Sequence, residues 1–468
     1  MTILFITLFG FILRLLSINQ SFWLDEGASI EIASRPFLQL ISSSASDFHP
    51  PLFYVLLKYW LPYSFQSEWL IRLPFVIIST LAIYLTYLLS LEIFTFKDKR
   101  LYIIPALLLA LNPFHIYYSQ ELRMYGLNTT LTLFTWLFLL RSSKKNNSSN
   151  LIWFTLFTTL NLYIFYGSFF NLLAQFIYIL LQKKNRLPLI LSLVTSIFLF
   201  LPWLPILFSQ LEAGNYLTTA LPGWSAVSGR LTFKDLLLIP TKFLIGRISF
   251  TPKILYAAIT VISICLATYL LVKSALKKYL SLWLYFAVPL ICAIIIGLKT
   301  PVLGYWRYVS LVPAFILLLV VGVSQLSLFK QKISLGYFLL LFVICNIIFW
   351  RTPSFQRENW KELTTFLNTP NSLIVFNFTG RFAPLNYYLP HANYYPSQKA
   401  LGQLRPDLAA DLATAIKGKD TIYYLDYLSD LTDPSRTTLV TLKNLAVIEV
   451  SEKSFIGLGK VVVFKSVK

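Results

Sequence analysis

Two adjacent acids, Asp25 and Glu26, lie in the segment WLDEGAS, directly after the first long apolar run of the chain. A second polar segment, DFHPPLFY, supplies Asp47 and His49 next to a pair of prolines. Carboxylates and imidazoles accept protons and orient polar ligands, so both segments are candidates for acid–base chemistry. An acid pair is also common where a helix begins, and Asp25 fits the N-cap of a helix over GASIEIAS. The residues alone leave a catalytic and a structural interpretation open.

Cations and phenols are concentrated in two later segments. NPFHIYYSQELRMYG holds Arg123 and Tyr125, and LKTPVLGYWRYVS holds Lys299, Arg307 and Tyr308. The planar guanidinium donates hydrogen bonds in a fork that matches a phosphate, and a lysine or a phenol beside it adds further donors. Arginines at a membrane interface also act as ordinary anchors. These five side chains are therefore candidates for binding an anionic head group, with anchoring as the alternative.

The first apolar run itself contains a cation, Arg14. A charge inside a membrane span is costly and usually faces a partner or water. We therefore expect the Arg14 guanidinium to pair with an acid such as Asp25 or Glu26.

Apolar helices must position these side chains, because the composition is that of a membrane protein. Of the 468 residues, 56% are hydrophobic and 13% are charged, and the mean hydropathy is +0.66. Soluble domains are about 45–50% apolar and about 25% charged. The net charge of +20 lies largely in short loops between apolar runs, which is typical of membrane topology. Since no basic block indicates nucleic-acid binding, we expect a polytopic α-helical membrane protein without a nucleic-acid partner.

About eleven stretches approach the roughly 20 apolar residues that one membrane span requires. They cover residues 1–18, 70–94, 101–119, 124–140, 151–166, 168–182, 187–208, 254–272, 279–298, 308–328 and 333–350. As one helix, 151–182 would be about 48 Å long, which exceeds a membrane core of about 30 Å. We therefore predict two short helices there, with a turn near Tyr166 and Gly167. The N-terminal run lacks a positive segment and a cleavage site, so we interpret it as a retained span.

Basic loops indicate which side of the membrane each segment faces. Five short loops carry two or three lysines or arginines each, at 97–100, 141–145, 182–186, 273–278 and 328–332. The positive-inside rule places these loops and the N-terminus in the cytoplasm. The first outer loop, at about 19–69, then faces outward, together with 119–124, 209–253, 299–307 and the tail from Arg351. The cations Arg230, Lys234, Lys242, Arg247 and Lys253 in 209–253 depart from the rule, which long loops follow loosely.

Residues 351–468 are more polar and predict a separate domain. Apolar clusters at 373–378, 421–428, 445–450 and 460–464 are typical of strands. Residues 359–368 and 407–417 are typical of helices, with Gly418 as a helix stop. We predict a transmembrane domain over 1–350 and a small extracytoplasmic α/β domain over 351–468.

Five segments together resemble a known family. WLDEGAS, DFHPPLFYVLLKYW, SEWLIRLPF, NPFHIYYSQELRMYGL and GYWRYVSLVPAF occur in the order seen in bacterial relatives of protein O-mannosyltransferases and in lipid A aminoarabinose transferases. The chain resembles these GT-C membrane glycosyltransferases over about residues 1–350. NWKELTTFL and LNYYL, in the tail, look similar to the soluble domain of the family. Each motif alone is weak, whereas five in one order are fairly specific.

The resemblance implies a function as well as a fold. Such enzymes move a sugar from a polyprenyl-phosphate donor to a lipid, glycan or protein acceptor at the outer face of the inner (plasma) membrane. Asp25 matches the first-loop acid of the family, which implies a general base in a single displacement with inversion. Glu26 would orient the acceptor or hold Arg14, and Asp47 and His49 would shape the acceptor side of the loop.

The resemblance also implies cations at the leaving phosphate, which gains charge as the glycosidic bond breaks. Arg123 and Arg307 are the candidates, with Lys299, Tyr125 and Tyr308 in support. No cofactor is assured, and a divalent metal ion stays open because some members of the superfamily require one. No motif assigns a metal ligand, the transferred sugar or the acceptor.

Two functions of other classes compete with this one. A transporter or flippase of lipid-linked sugars often has inverted repeats and helices broken near the membrane midplane. This chain has no visible repeat and gathers its polar residues at one predicted face, which favours the enzyme. A non-catalytic assembly subunit would not require Asp25. The effect of replacing Asp25 therefore discriminates between the enzyme and the assembly subunit.

Overall fold

A computed structural model of the protein describes residues 1–145, 147–221, 223–445 and 447–466. The chain divides into two compact units. The helical unit comprises Met1–Ile18, Pro36–Leu211 and Ser228–Thr352, and the sheet unit comprises Asn19–Arg35, Glu212–Val227 and Pro353–Lys468. The acid pair of WLDEGAS therefore belongs to the sheet unit.

Helices form most of the chain. Up to residue 245 the α-helices are α1 (Thr2–Leu15), α2 (Leu24–Ser34), α3 (Phe37–Ser46), α4 (Leu52–Trp60), α5 (Glu68–Ile93), α6 (Ile104–Leu111), α7 (Pro113–Ser119), α8 (Tyr125–Lys144), α9 (Ser148–Leu162), α10 (Ser168–Leu181), α11 (Arg186–Phe200), α12 (Leu204–Ala220), α13 (Trp224–Ser228) and α14 (Phe233–Ile245). The later ones are α15 (Lys253–Ser274), α16 (Leu280–Gly297), α17 (Val312–Ser324), α18 (Leu328–Arg351), α19 (Trp360–Leu367), α20 (Ala383–Tyr388), α21 (Leu408–Ile416), α22 (Ser429–Thr432) and α23 (Thr437–Lys443). The predicted loop at 19–69 is therefore largely helical, since it contains α2, α3 and α4.

Within the described residues, six helices are long and apolar enough to cross a membrane. They lie at Glu68–Ile93, Arg186–Tyr216, Lys253–Ser274, Lys277–Gly297, Tyr305–Ser324 and Leu328–Arg351. The segment Lys99–Leu111, which ends with α6, passes the same test together with α7 but the two are bent by 58°, and counting them as one span gives up to seven. Two separate helices within 151–182 are confirmed as α9 and α10. The predicted total of about eleven spans stays a prediction.

The bend between α6 and α7 is encoded by the dipeptide Asn112-Pro113. Proline has no N–H to continue the hydrogen bonds of α6. Asn112 caps α7 by accepting a hydrogen bond from the His115 N–H at 2.8 Å. The last carbonyls of α6 consequently need partners other than the next helical turn.

The Arg14 guanidinium donates hydrogen bonds to two of the carbonyls at the end of α6. Its Nη1 donates to the Ala110 carbonyl at 3.1 Å and its Nη2 to the Leu109 carbonyl at 3.2 Å. Nη2 also lies 2.8 Å from Nδ1 of His115. We predicted an acidic partner for Arg14, and that prediction is wrong within the described residues: the guanidinium is satisfied by neutral acceptors at the negative end of the α6 dipole.

Replacing Arg14 with leucine is expected to destabilise the helical unit. Two buried carbonyls, of Leu109 and Ala110, would lose their donors, at a cost of about 1–3 kcal/mol each. Thermal unfolding of purified protein in detergent measures the loss. Thr7→Val, on the same helix, is the matched control because, among the described residues, the Thr7 hydroxyl bonds only the carbonyl of Ile3. Equal stability of the two variants would contradict the assigned role of Arg14.

The sheet unit has strands β1 (Ser372–Phe376), β2 (Tyr394–Pro396), β3 (Gln398–Ala400), β4 (Gln403–Leu404), β5 (Thr421–Leu425), β6 (Val447–Phe455) and β7 (Gly459–Ser466). Five form one sheet in the order β2-β1-β5-β7-β6. β1 pairs parallel with β2 and β5, and β7 pairs antiparallel with β5 and β6. β3 and β4 form a separate antiparallel pair.

Both faces of this sheet are covered. Side chains of α19 and α20 pack on one face, and those of α21 and α23 pack on the other. β1 is consequently buried along its whole length, which explains its uninterrupted apolar sequence. The helices predicted at 359–368 and 407–417 are confirmed as α19 and α21. The strands predicted at 373–378, 421–428 and 460–464 are confirmed as β1, β5 and β7, whereas the one at 445–450 includes Ala446, outside the described residues.

Within the sheet unit, α2 packs closely against α20. A Cβ atom added to Gly27 would lie 2.7 Å from the backbone nitrogen of Pro384, so only glycine permits this approach. Just before α2, the Phe22 N–H donates to the Tyr388 hydroxyl at 2.9 Å. These contacts fix the segment WLDEGAS on the helix formed by APLNYY.

Candidate functional site

Asp25 and Glu26 both lie in the first turn of α2, but they differ in exposure. Trp23 is the N-cap of this helix, so the N-cap assignment of Asp25 is wrong and Asp25 is the second helical residue. Asp25 is half-exposed, whereas the Glu26 side chain is fully buried. Asp25 is therefore the more accessible acid of the pair.

Buried contacts hold Glu26 in place. Its Oε1 lies 3.9 Å from Nε of Arg357, with both side chains buried, and its Oε2 accepts from the Trp23 N–H at 3.4 Å. Removing one partner of a buried ion pair usually costs about 3–5 kcal/mol, because the other charge is left uncompensated. We predicted that Glu26 shares in the chemistry, and its contacts favour a part in positioning the turn that carries Asp25.

In the helical unit, Asp47 joins two of the segments singled out by the sequence. Its Oδ2 lies 3.6 Å from Nη1 of Arg123 and accepts a hydrogen bond from the Tyr54 hydroxyl. The Arg123 side chain is only 4% exposed. Asp47 therefore neutralises part of the charge that we predicted for Arg123 at a phosphate.

His49 lies within electrostatic range of both predicted arginines, Arg123 and Arg307. Its ring centroid is 6.5 Å from that of Phe165. Burial lowers the pKa of His49 well below its usual range, and the charges of Arg123 and Arg307 lower it further. The imidazole is consequently neutral at physiological pH and has one donor and one acceptor nitrogen.

Arg307 has two kinds of neighbour. Its Nη1 donates to the carbonyls of Ser228 at 2.7 Å and Pro301 at 3.3 Å. The guanidinium is also within electrostatic range of Tyr125 and Tyr308. The side chain is partly exposed to solvent. Through Nη1 the guanidinium thus supports two loops.

Replacing Arg307 with alanine is therefore expected to lower both stability and donor use. Hydrogen bonds to a charged group contribute about 1.5–3 kcal/mol, so losing the bonds to Ser228 and Pro301 gives a measurable fall in Tm. Arg307→Lys, which keeps the charge and one donor, should recover part of both losses. An Arg307→Ala protein with unchanged Tm would contradict the supporting role.

The remaining predicted residues differ in where the structure places them. The Tyr308 hydroxyl donates to the Val302 carbonyl at 2.7 Å, beside Arg307. Tyr125 is buried and packs edge-on against Tyr118, with ring centroids 5.5 Å apart. Lys299 is exposed at the end of α16, and no contact within the described residues joins it to Arg307. Its role at the phosphate stays a prediction.

A third arginine, Arg247, was not selected from the sequence. Its Nη1 donates to the Tyr117 hydroxyl at 2.7 Å, and the guanidinium lies within electrostatic range of Tyr118, Tyr305 and Glu121. Arg247 is exposed to solvent, and its guanidinium lies 4.7 Å from the centroid of the Tyr117 ring. The contact between Tyr118 and Tyr125 joins this group to that of Arg307.

Lys242 adds a second cation beside Arg247. Its Nζ lies 5.7 Å from the centroid of the Tyr305 ring, and the two cations are close enough to repel each other. Like charges held close together are unfavourable unless an anion is bound between them. The sequence signal that could have identified Arg247 and Lys242 was the set of cations in 209–253, because these cations depart from the positive-inside rule.

Within the described residues, no group of three or more His, Cys, Asp and Glu side chains comes close enough together to hold a metal ion. No ligand set is therefore assigned for the divalent metal that the sequence left open.

No protein-family profile and no curated protein sequence matches the chain. Solved structures do. ArnT from Cupriavidus metallidurans in the apo state matches with a TM-score of 0.60 and 12% identity over 98% of this chain and 97% of that one. ArnT bound to undecaprenyl phosphate matches with a TM-score of 0.60 and 13% identity, over 99% and 97%.

The oligosaccharyltransferase of Archaeoglobus fulgidus, tethered to an acceptor peptide that contains the NVT sequon, also matches. The TM-score is 0.55 and the identity 13%, over 100% of this chain and 74% of that chain. At such low identity the similarity establishes the fold alone. The resemblance read from five sequence motifs is thereby confirmed at the level of architecture, and the chain has the fold of the GT-C membrane glycosyltransferases.

Proposed function

We propose that the protein is an integral membrane glycosyltransferase that moves a sugar from a polyprenyl-phosphate donor to an acceptor outside the cytoplasm. The observation that carries this proposal is the cluster in which contacts of Tyr118 and Tyr125 join the cations Arg247 and Lys242 to Arg307, in a chain with the GT-C fold. ArnT, which shares that fold, was crystallised with undecaprenyl phosphate. A polyprenyl phosphate combines a long apolar chain with an anionic head group, which matches a membrane protein that carries such a cluster of cations.

In the proposed reaction, an acceptor hydroxyl attacks the anomeric carbon of the donor. Asp25 takes the proton of that hydroxyl as the new C–O bond forms. The bond between the anomeric carbon and the phosphate oxygen breaks, and its electron pair leaves with the polyprenyl phosphate. This single displacement inverts the anomeric configuration. Asp25 suits the role of base because it is half-exposed on a turn that buried contacts of Glu26 hold in place.

The cations serve the leaving group in this proposal. The phosphate gains a negative charge as the glycosidic bond breaks, and preorganised donors stabilise that charge most where water is scarce. Arg247 offers an arginine fork that is open to solvent, and Lys242 and Arg307 add positive charge. Arg123, whose charge Asp47 partly balances, would act chiefly by shaping the site with Tyr125 and Tyr308.

The orientation follows from the charged loops. We propose that the N-terminus and the five basic loops lie in the cytoplasm and that the sheet unit lies outside, in an inner (plasma) membrane. Sugars on lipid carriers are the donors available outside, because nucleotide sugars stay in the cytoplasm. The donor sugar is a hexose or a pentose, and the acceptor is a lipid, a glycan or a peptide.

A donor panel tests the proposal. Purified protein in detergent is incubated with polyprenyl-phosphate hexoses and pentoses, together with lipid, glycan and peptide fractions of the host. Mass spectrometry follows free polyprenyl phosphate and sugar-bearing products. We expect one donor to yield both species. No release from any donor, with all acceptor fractions present, would contradict the proposal and favour transport or assembly.

A further inference from the structure

A second carboxylate, that of Glu358, lies beside the turn that carries Asp25. Its Oε2 accepts hydrogen bonds from the Leu24 N–H at 3.1 Å and from Nε1 of Trp360 at 2.8 Å. Its Oε1 accepts from the Tyr427 hydroxyl at 2.8 Å. Leu24 is the first residue of α2, so Glu358 ties the start of that helix to the segment that precedes α19.

The surroundings of Glu358 are built to hold it there. Gly457, in the turn between β6 and β7, has φ +76°, and a Cβ atom on it would lie 3.0 Å from Cα of Glu358. The Asn359 N–H donates to the carbonyl of Ile456 at 3.0 Å. The hairpin therefore packs directly on the backbone of Glu358. A flexible surface acid would need no such support.

Glu358 is the acceptor in all three of its hydrogen bonds. This pattern suits an ionised carboxylate, which has no proton to donate. Glu358 and Asp25 are within electrostatic range of each other, and Tyr427 is within range of both. Within the described residues, other titratable or charged groups around this turn include Glu26 with its partner Arg357, Glu31 on α2, Lys361 on α19 and Tyr388 on α20.

We propose that Glu358 is a positioning residue for the proposed reaction: its carboxylate fixes the first turn of α2 and places a second negative charge beside Asp25. This inference rests on the proposed role of Asp25 as general base. A base must lie at the right place and hold a proton firmly enough to take it from a hydroxyl. Glu358 places Asp25 through its hydrogen bond to the Leu24 N–H, and its negative charge makes Asp25 hold a proton more firmly.

The direction of the charge effect follows from coupling. Burial raises the pKa of Glu358, and the Asp25 charge raises it further, while the donors Trp360, Tyr427 and Leu24 lower it. Electrostatic coupling is reciprocal, so an ionised Glu358 must disfavour ionisation of Asp25 equally. When Glu358 is ionised, its charge therefore makes Asp25 a stronger base than Asp25 would be without that neighbour.

Glu358→Gln separates charge from position. The amide oxygen can accept from Leu24 and Trp360, and the amide nitrogen can donate to the Tyr427 hydroxyl, so all three contacts survive without the charge. We expect the acid limb of kcat/KM against pH to move to lower pH, because Asp25 becomes a weaker base. The loss on the plateau should be smaller than the ~10²–10⁴-fold that removal of a general base gives.

Two further variants complete the activity test. Glu358→Asp keeps the charge and shortens the reach, so the rate should fall while the acid limb stays nearer to that of the wild type. Glu362→Gln is the matched control, because this exposed acid on α19 pairs with Lys453. An unshifted acid limb in Glu358→Gln, with or without a lower rate, would overturn the proposal and leave Glu358 a structural residue.

An unfolding experiment keeps this inference distinct from the proposed function. Tm is measured near neutral pH for wild type, Asp25→Asn, Glu358→Gln and the double variant, without any substrate. If the carboxylates of Asp25 and Glu358 repel each other, neutralising one of them should raise Tm less when the other is already neutral. The changes in Tm are then non-additive. Additive changes would overturn the coupling even if the enzyme is active, whereas inactivity of the wild type with non-additive changes would overturn only the proposed function.

The same series has a pH dependence with a defined sign. Since the folded protein raises the pKa of Glu358, its contribution to stability is complete below the unfolded pKa and is lost as pH rises through the folded pKa. Relative to Glu358→Gln, the wild type should therefore lose Tm as pH rises from about 4.5 toward neutrality. A constant difference in Tm across that window would contradict the shift.

Discussion

Replacing Asp25 with asparagine is expected to abolish nearly all sugar transfer while the protein still folds. The amide cannot take the acceptor proton, and general-base catalysis is typically worth about 10²–10⁴-fold in rate. Asparagine has the same shape as aspartate, so packing of the first turn of α2 should persist. Steady-state kinetics and Tm of the same preparation give the two readouts.

Glu31→Gln is the matched control for Asp25→Asn. Glu31 is an acid on the same helix, where it pairs with Arg35 at 3.0 Å in an exposed i,i+4 contact. Exposed pairs of this kind contribute about 0.2–1 kcal/mol, so activity and Tm should stay near those of the wild type. Asp25→Asn protein with normal Tm and near-normal activity would remove Asp25 as the base.

The second large effect is expected at Arg247. Arg247→Ala removes a guanidinium that is exposed to solvent and bonds only the Tyr117 hydroxyl within the described residues. Loss of one preorganised donor to a developing charge costs about 10²–10³-fold in kcat. Arg247→Lys should recover part of the loss, since lysine restores the charge without the planar fork.

Lys234→Ala provides the control for Arg247→Ala. Lys234 belongs to the same predicted outer segment but is exposed on α14, so its loss should change donor use little. Binding of polyprenyl phosphate, measured with the purified variants, separates donor affinity from the chemical step. Similar activity and similar donor affinity in the two alanine variants would contradict a phosphate site at Arg247.

Elements whose defining signals lie close together in the sequence could be predicted, whereas residues whose partners are distant in the sequence could not. The helices α9 and α10 could be predicted because a local length argument and flanking charges decide them. The strands β1, β5 and β7 could be predicted because apolar runs between turn residues are local signals. By contrast, the first loop looked irregular, although Gly27 and Phe22 dock it on distant parts of the chain.

Long-range partners explain the errors in the site. Arg14 was assigned an acid because a charge inside a span needs a partner, yet the carbonyls freed at the bend of α6 meet that need. Arg247 was treated as an exception to a topology rule, because nothing local indicates that it meets Tyr117. Glu358 was overlooked for the same reason, since its contacts with Leu24 and Tyr427 span large separations in sequence.

The most direct test of the central claim measures stoichiometry in proteoliposomes. Wild-type protein is reconstituted with a polyprenyl-phosphate sugar labelled in both the sugar and the lipid, and acceptor is supplied outside. We predict that one free polyprenyl phosphate appears for each sugar transferred, and that Asp25→Asn prevents both. Movement of the intact labelled donor across the bilayer, without release of polyprenyl phosphate, would contradict the account and identify a transporter.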